Sequence, residues 1–245
     1  MTTVIPTDLP RALAIGGRTL EVFTGTPRLN AWQFSKLASH VHGDVLEIGS
    51  GIGNFSRLIV AQAKTAVLSD MEAQYIDALA TAFAGDPRVT VAFYDLDAEP
   101  SSAIASRRFD TIVAINVVEH IRDDHALVRR LTELLRPGGK LVVYVPACPF
   151  AYGSLDRALG HYRRYTPESL AALLESAGLE TPRPAYMNFF GLFGWAINGR
   201  LLRRERLSHW QLAVFERLMS LFRLEDLVRL PIGLGIYVAA RRPAR

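Results

Sequence analysis

Short apolar runs recur along this chain, separated by stretches in which apolar positions return every three or four residues. That alternation predicts strands joined by helices, and so a parallel sheet covered by helices. Strands are expected at Asp44–Ile48, Ala66–Asp70, Val89–Phe93, Phe109–Ile115, Leu141–Val145 and Pro184–Met187, with a seventh at Ile236–Ala240. Phe109–Ile115 is nearly all apolar, as a central parallel strand should be. Helices are expected at Leu29–Val41, Asn54–Ala63, Glu72–Ala84 and Asp123–Leu135, the last closed by Pro137-Gly138-Gly139. Another helix runs from Thr166, a capping residue followed by a proline and an acid, to Gly178. Residues 1–26 read as an irregular lead-in.

The expected organisation is one domain over residues 1–245, with no internal repeat and no low-complexity linker. A helical lead-in spans 1–42, a core 43–188, an apolar helical insertion 188–231 and a terminal strand 232–245. Within the insertion, Phe189–Ile197 is nearly continuous apolar sequence, followed by Arg200, Arg203, Arg204 and Arg206. A helix at His209–Phe222 carries Trp210, Val214, Leu218 and Leu221 at helical spacing. The run is shorter than the ~20 residues a membrane span needs. The segment can cap the domain core, form a dimer face, lie at a membrane surface or wall the substrate; a lid or wall that includes Trp195 fits best, because it leaves from a strand end.

Composition narrows the class. The chain has 245 residues, 49% hydrophobic and 21% charged, which supports a core and argues against disorder. Net charge is +4, and lysine occurs only at positions 36, 64 and 140, so arginine carries nearly all the positive charge. An arginine-biased solvated surface accounts for that balance, and no aromatic-basic interleaving points to nucleic acid. Cys148 is the sole cysteine, which excludes an intrachain disulfide and a cysteine-based zinc site. No basic start followed by a long apolar run is present, so a cytoplasmic protein is expected.

The chemistry-bearing residues follow the strands, where ligands of open parallel sheets bind. After the first strand comes Gly49-Ser50-Gly51-Ile52-Gly53, three glycines at alternate positions with Glu47 just before them. Such a loop lets backbone pass close to a nucleotide-like ligand. A dinucleotide site wants Gly-x-Gly-x-x-Gly, but here Asn54 stands at the last position and an acid stands where a diphosphate would be repelled. An adenosine carrying a cationic amino-acid group fits instead, which describes S-adenosylmethionine. Asp70 closes the second strand, before Met71, and can accept ribose hydroxyl protons. Asp95 or Asp97 can accept from an adenine amino group, Asp95 being favoured, with Leu96 against the ring. Asn116-Val117-Val118-Glu119-His120-Ile121 follows the fourth strand as a polar, site-lining segment.

Val45–Ser56, Asp70, Asn116–Ile121 and Arg136–Pro146 together resemble the class I S-adenosylmethionine-dependent methyltransferases over about residues 28–188 and the terminal strand. The resemblance implies an α/β, Rossmann-like doubly wound sheet of seven strands, its last strand antiparallel between the fifth and sixth. It implies that Glu47, Gly49, Gly51 and Gly53 hold the methionine end of the cofactor, Asp70 the ribose, Asp95 with Leu96 the adenine, that Asn116 lines the pocket, and that Met71 is a further cofactor-binding residue. Leu159–Tyr165 is similar to a signature of a bacterial branch associated with glycan, lipid or natural-product biosynthesis.

For a hydroxyl acceptor a general base helps, and histidine is suited to it near neutral pH. His161 and His120 are the candidates, with Tyr152, Tyr162, Arg164 and Trp195 as acceptor-side residues. No metal ligand set is expected, because the fifth strand is followed by Pro146-Ala147-Cys148-Pro149 rather than by carboxylates. The function expected is methyl transfer to a small apolar, glycan- or lipid-like acceptor, with an RNA methyltransferase or a non-catalytic cofactor-binding regulator or partner subunit as alternatives.

Overall fold

A computed structural model of the chain describes residues 26–228 and 230–244; the expected lead-in over 1–26 therefore lies, but for its last residue, outside the described residues. Seven strands form one sheet in the order β3-β2-β1-β4-β5-β7-β6. They are β1 (Asp44–Ile48), β2 (Thr65–Asp70), β3 (Val89–Phe93), β4 (Phe109–Ile115), β5 (Leu135–Pro146), β6 (Ala185–Met187) and β7 (Gly235–Arg241). β1 pairs in parallel with β2 and β4, while β7 runs antiparallel between β5 and β6. The expected doubly wound sheet with an antiparallel last strand is what the chain forms.

Alternating residues of the central strands feed two cores. On one face Ile112, Leu141 and Val143 meet Leu127, Leu131 and Leu174. On the other, Val45, Leu68 and Val113 meet Trp32, Leu37, Ile59 and Leu79. Each fully buried aliphatic side chain contributes roughly 1.5–3 kcal/mol, so a polar substitution on either face is costly.

The helices are α1 (Pro27–Ser35), α2 (Ser56–Gln62), α3 (Ala73–Ala82), α4 (Ser102–Ala105), α5 (Asp124–Leu134), α6 (Ser154–Leu159), α7 (Pro167–Ser176), α8 (Phe189–Ala196) and α9 (His209–Phe222). Capping fixes several ends: the Asp123 side chain accepts from Ala126 N–H at 2.9 Å, and Thr166 accepts from Ser169 N–H at 3.1 Å. The short helices α4 and α6 were beyond a periodicity argument, which needs several turns.

Two boundaries differ from expectation. Pro137-Gly138-Gly139, expected as a stop before the fifth strand, lies within β5, which begins at Leu135. Leu135 pairs with Phe109, the register then shifts, and pairing resumes at Thr111–Lys140. Gly139 permits this irregularity, since a Cβ there would meet the Phe109 carbonyl oxygen at 3.0 Å. The first helix, expected to reach Val41, stops at Ser35 and resumes as a 3-10 turn over Ala38–His40.

The insertion is helical, as expected: α8, a π turn (Ile197–Leu201), α9 and a 3-10 turn (Arg223–Leu227). It packs on its own domain. Leu212 and Met219 are buried, and the Glu216 carboxylate accepts from the Arg28 and Leu29 N–H groups at the start of α1. Asp226 accepts from Trp32 Nε1 at 3.0 Å and pairs with Lys36 at 2.5 Å. Glu225 accepts from the Asn188 and Phe189 N–H groups, capping α8. Trp210, Val214, Leu218 and Leu221 instead point outward and are exposed. Among the described residues, no helix is long and apolar enough to cross a membrane.

Candidate active site

The strand order reverses between β1 and β4, and the loops at their carboxyl ends lie beside that switch. Gly49, Gly51 and Gly53 all have positive φ, at 63°, 55° and 87°. A Cβ on Gly49 would approach Val117 Cγ2 at 2.6 Å, and Val117 is buried and β-branched, so it has nowhere to move. At its three glycines the loop is thus bare backbone, as their spacing led one to expect.

Side chains tie this loop to β2. Ser69 Oγ donates to the Glu47 carbonyl at 2.8 Å, and Ser50 N–H donates to the Ser69 carbonyl at 2.9 Å. Asp70 accepts from Gly51 N–H at 2.8 Å through one oxygen and from Glu72 N–H at 3.0 Å through the other. It is both the acid at the strand end and a brace for the loop; each oxygen keeps a lone pair for a hydroxyl. Met71, beside it, is 50% exposed. Glu47 is buried and accepts from Ser56 Oγ at 2.5 Å. Burial pushes its carboxyl up to about 7, against the lowering effect of the Ser56 and Ser50 hydroxyls. A cationic group placed beside it would restore the carboxylate.

After β3, Asp95 is half-buried and accepts from Asp97 N–H at 3.0 Å, while Leu96 is buried and its carbonyl accepts from Arg130. Asp97 is exposed. After β4, Asn116 adopts the left-handed conformation, φ 53°, which asparagine tolerates better than most residues. Its N–H donates to the Tyr144 carbonyl at 2.8 Å, leaving the side chain exposed.

A second polar group lies after β4 and β5. His120 and His161 meet edge to face with ring centroids 4.6 Å apart. Tyr162 N–H donates to the Glu119 carbonyl at 2.8 Å and so fastens the two loops together. His161 Nδ1 lies 3.1 Å from Asp156 Oδ1. Asp156 is fully buried and accepts also from Arg164 Nε at 2.7 Å, Gly153 N–H at 2.9 Å and Trp195 Nε1 at 3.1 Å. Burial alone would raise its carboxyl; the His161 hydrogen bond and the Arg164 charge outweigh that and hold it at about 2. An ionised Asp156 fixes the proton of His161 on Nδ1 and leaves Nε2 as the lone-pair nitrogen.

Burial lowers both histidines, His120 to about 3, with His161 as a further cause there. Both imidazoles are therefore neutral at physiological pH. Glu119 is fully buried, and among the described residues neither carboxylate oxygen has a hydrogen-bond partner. Burial pushes it up to about 8.

Sequence reasoning named His120 and His161, and the structure brings them together. It places Arg164 inward, its Nη1 donating to the Ala147 carbonyl at 2.8 Å and its guanidinium 5.1 Å from the Trp195 ring centroid. Tyr152 is half-buried, its hydroxyl donating to the His161 carbonyl at 2.7 Å, and Tyr162 is exposed. Trp195 joins the insertion to this network through Asp156. Glu119 and Asp156 were not singled out: Glu119 lay inside a segment already noted for its polarity, and the helix that carries Asp156 is too short to announce itself.

A family model described as a methyltransferase domain matches residues 23–182. A ubiquinone biosynthesis O-methyltransferase of Xanthomonas euvesicatoria is 25% identical over 69% of this chain and 75% of its own length. A Mycolicibacterium smegmatis protein named "probable S-adenosylmethionine-dependent methyltransferase" is 30% identical over 70% of this chain and 67% of its own. Among solved structures, the N-methyltransferase NodS of Bradyrhizobium japonicum, in complex with S-adenosyl-L-homocysteine, is similar with a TM-score of 0.55 and 17% identity. That likeness covers 86% of this chain and 83% of the other, and it bears on the fold alone.

Proposed function

This chain belongs to the class I S-adenosylmethionine-dependent methyltransferases, and from that premise we propose that it methylates a hydroxyl of a small apolar, glycan- or lipid-like acceptor. S-adenosylmethionine supplies an electrophilic methyl group on a sulfonium with a good leaving group. The residues present suit it: a loop with no Cβ in the way, a buried Glu47 that a cation would ionise, and Asp70 at the end of β2. In this reading Glu47, Gly49, Gly51 and Gly53 hold the methionine end. Asp70 and Met71 face the ribose, Asp95 and Leu96 the adenine, and Asn116 lines the space between.

The protein's task is then to align the acceptor oxygen with the S–CH₃ bond, exclude water and ease removal of the hydroxyl proton. The observation that carries the hydroxyl reading is the Glu119, His120 and His161 cluster, whose His161 is oriented by a fully buried, ionised Asp156. A neutral imidazole so oriented presents a lone pair to an acceptor proton. The named ubiquinone biosynthesis relative is itself an O-methyltransferase, which supports the same acceptor chemistry. Trp195, bonded to Asp156, would form the wall of the acceptor space from the insertion.

The test is methyl transfer from labelled S-adenosylmethionine to a panel of phenols, sugar alcohols and lipid-linked alcohols, set against matched amines. Transfer to a hydroxyl is expected, and His161→Ala should lower it by about 10²–10⁴. Transfer confined to amines, or undiminished turnover in His161→Ala, would contradict the reading.

A further inference from the structure

We propose that Glu119, His120 and His161 form a binding site for a first-row divalent cation, filled by zinc when it is supplied. One ligand atom from each of the three lies within 4.8 Å of the other two. They come from segments about 40 residues apart, the turn after β4 and the loop after α6, joined by the Tyr162–Glu119 backbone bond. Proximity alone would carry little. The second observation is the state of Glu119: its two oxygens are buried and, among the described residues, accept no hydrogen bond.

A buried carboxylate without a donor is costly, and nearly all buried polar groups find partners. What Glu119 lacks is a partner bonded to it. The Arg164 charge lies near enough to favour its carboxylate, but Arg164 makes no hydrogen bond to Glu119 among the described residues and is itself paired with Asp156 at 2.7 Å. A divalent cation would satisfy both Glu119 oxygens and the free imidazole nitrogens.

The surroundings fit such a site. His161 is bonded through Nδ1 to a carboxylate, the arrangement that orients a metal-binding imidazole and raises its basicity. Asp156 is in turn fixed by Arg164, the Gly153 N–H and Trp195. His120 is only partly buried, so the cluster is open on one side. Two imidazoles, one carboxylate and an open position suit zinc, manganese, iron or cobalt better than magnesium or calcium, which prefer oxygen. The proposal rests on the reading above for its use, and with the cation bound His161 assists the hydroxyl through the cation and not as the base itself. An acceptor hydroxyl lodged against the cation would ionise more readily; its proton would pass to water, the new O–C bond would form, and the C–S bond electrons would leave with sulfur.

The test is calorimetric titration of zinc into chelator-treated, full-length protein, repeated with cobalt and followed by its visible absorption. One ion per chain is expected. Glu119→Gln and His161→Ala should each weaken binding at least ~30-fold, and Asp156→Asn about 10-fold, in line with ligand and supporting-residue losses at metal sites. His125→Ala, outside the cluster, should bind as wild type. His120→Ala serves where Glu119→Gln fails to fold by circular dichroism. No stoichiometric binding by wild type, or equal affinity in the folded cluster variants, would overturn the site. S-adenosylhomocysteine binding measured on the same samples separates the two readings: intact cofactor binding without zinc binding removes the cation site alone, and zinc binding without cofactor binding removes the cofactor reading alone.

Discussion

The loop after β1 and the loop after α6 are held in place by opposite means. The first consists of backbone that must not carry side chains: three glycines at positive φ, one packed so that a Cβ would meet Val117. Its braces, Ser50, Ser69 and Asp70, come from β2 and from the loop itself. The second consists of side chains from α6, the loop after it and the insertion: Asp156 of α6 accepts from Arg164, Trp195 and the Gly153 N–H and pairs with His161. A backbone-built site fails by steric intrusion. A side-chain network fails by leaving a buried charge without partners. The two ends should therefore break separately.

The largest effect is expected at the glycine loop. Gly49→Val adds a β-branched side chain at φ 63° and against Val117, so methyl transfer should fall below detection while the sheet remains folded by circular dichroism. Asp70→Ala, which removes one acceptor and one brace, should weaken S-adenosylhomocysteine binding by only about 1–3 kcal/mol.

At the other end, Asp156→Ala leaves Arg164 buried and unpaired. A loss of about 3–5 kcal/mol of stability is expected in denaturant melts, together with lost turnover. Because the Asp156 carboxyl is held at about 2 in the native state against an ordinary 3.8, its contribution is present at neutral pH and is lost as pH falls through that interval. A melt unchanged at pH 7 would show that the network contributes little.

Glu47 gives a smaller effect with the opposite sign. Its native value of about 7 lies above the ordinary 4.5, so between those values the folded chain holds a proton that the unfolded chain has released. Stability attributable to this group therefore falls as pH rises from about 4.5 to about 7. Binding of a cationic cofactor group favours the carboxylate, so affinity should rise up to ~10-fold per pH unit below that value and level off above it. Glu47→Gln should bind more weakly and without that slope.

The smallest effect is expected on the outer face of α9. Leu218 is 41% exposed, whereas Met219 beside it is buried. Leu218→Ser should change stability by no more than about 0.5 kcal/mol, and Met219→Ala by about 2–5 kcal/mol.

The same contrast explains what could be read from the sequence. The strands, the glycine loop and Asp70 follow from local rules: apolar runs, residues that alone tolerate positive φ, and acids at strand ends. The α9 boundaries fall at His209 and Phe222 as its spacing suggested, but that spacing could not say which apolar stripe would be buried. Leu212 and Met219 turned inward and Trp210 and Leu218 outward because α1 lies on one side. Asp156 and Glu119 were not legible, since their importance arises from burial and from partners distant in sequence. Arg164 and Trp195 were legible as residues of interest, but their bonds to Asp156 required the folded chain.

The central claim is a site with a cofactor end separable from its acceptor end. Titration of S-adenosylhomocysteine into wild type and His161→Ala by calorimetry tests it most directly. One molecule bound per chain, with affinities within about 2-fold of each other, is the result expected for a residue that is near-neutral to the ligand. No binding by the wild type, or binding lost in a folded His161→Ala, would contradict it.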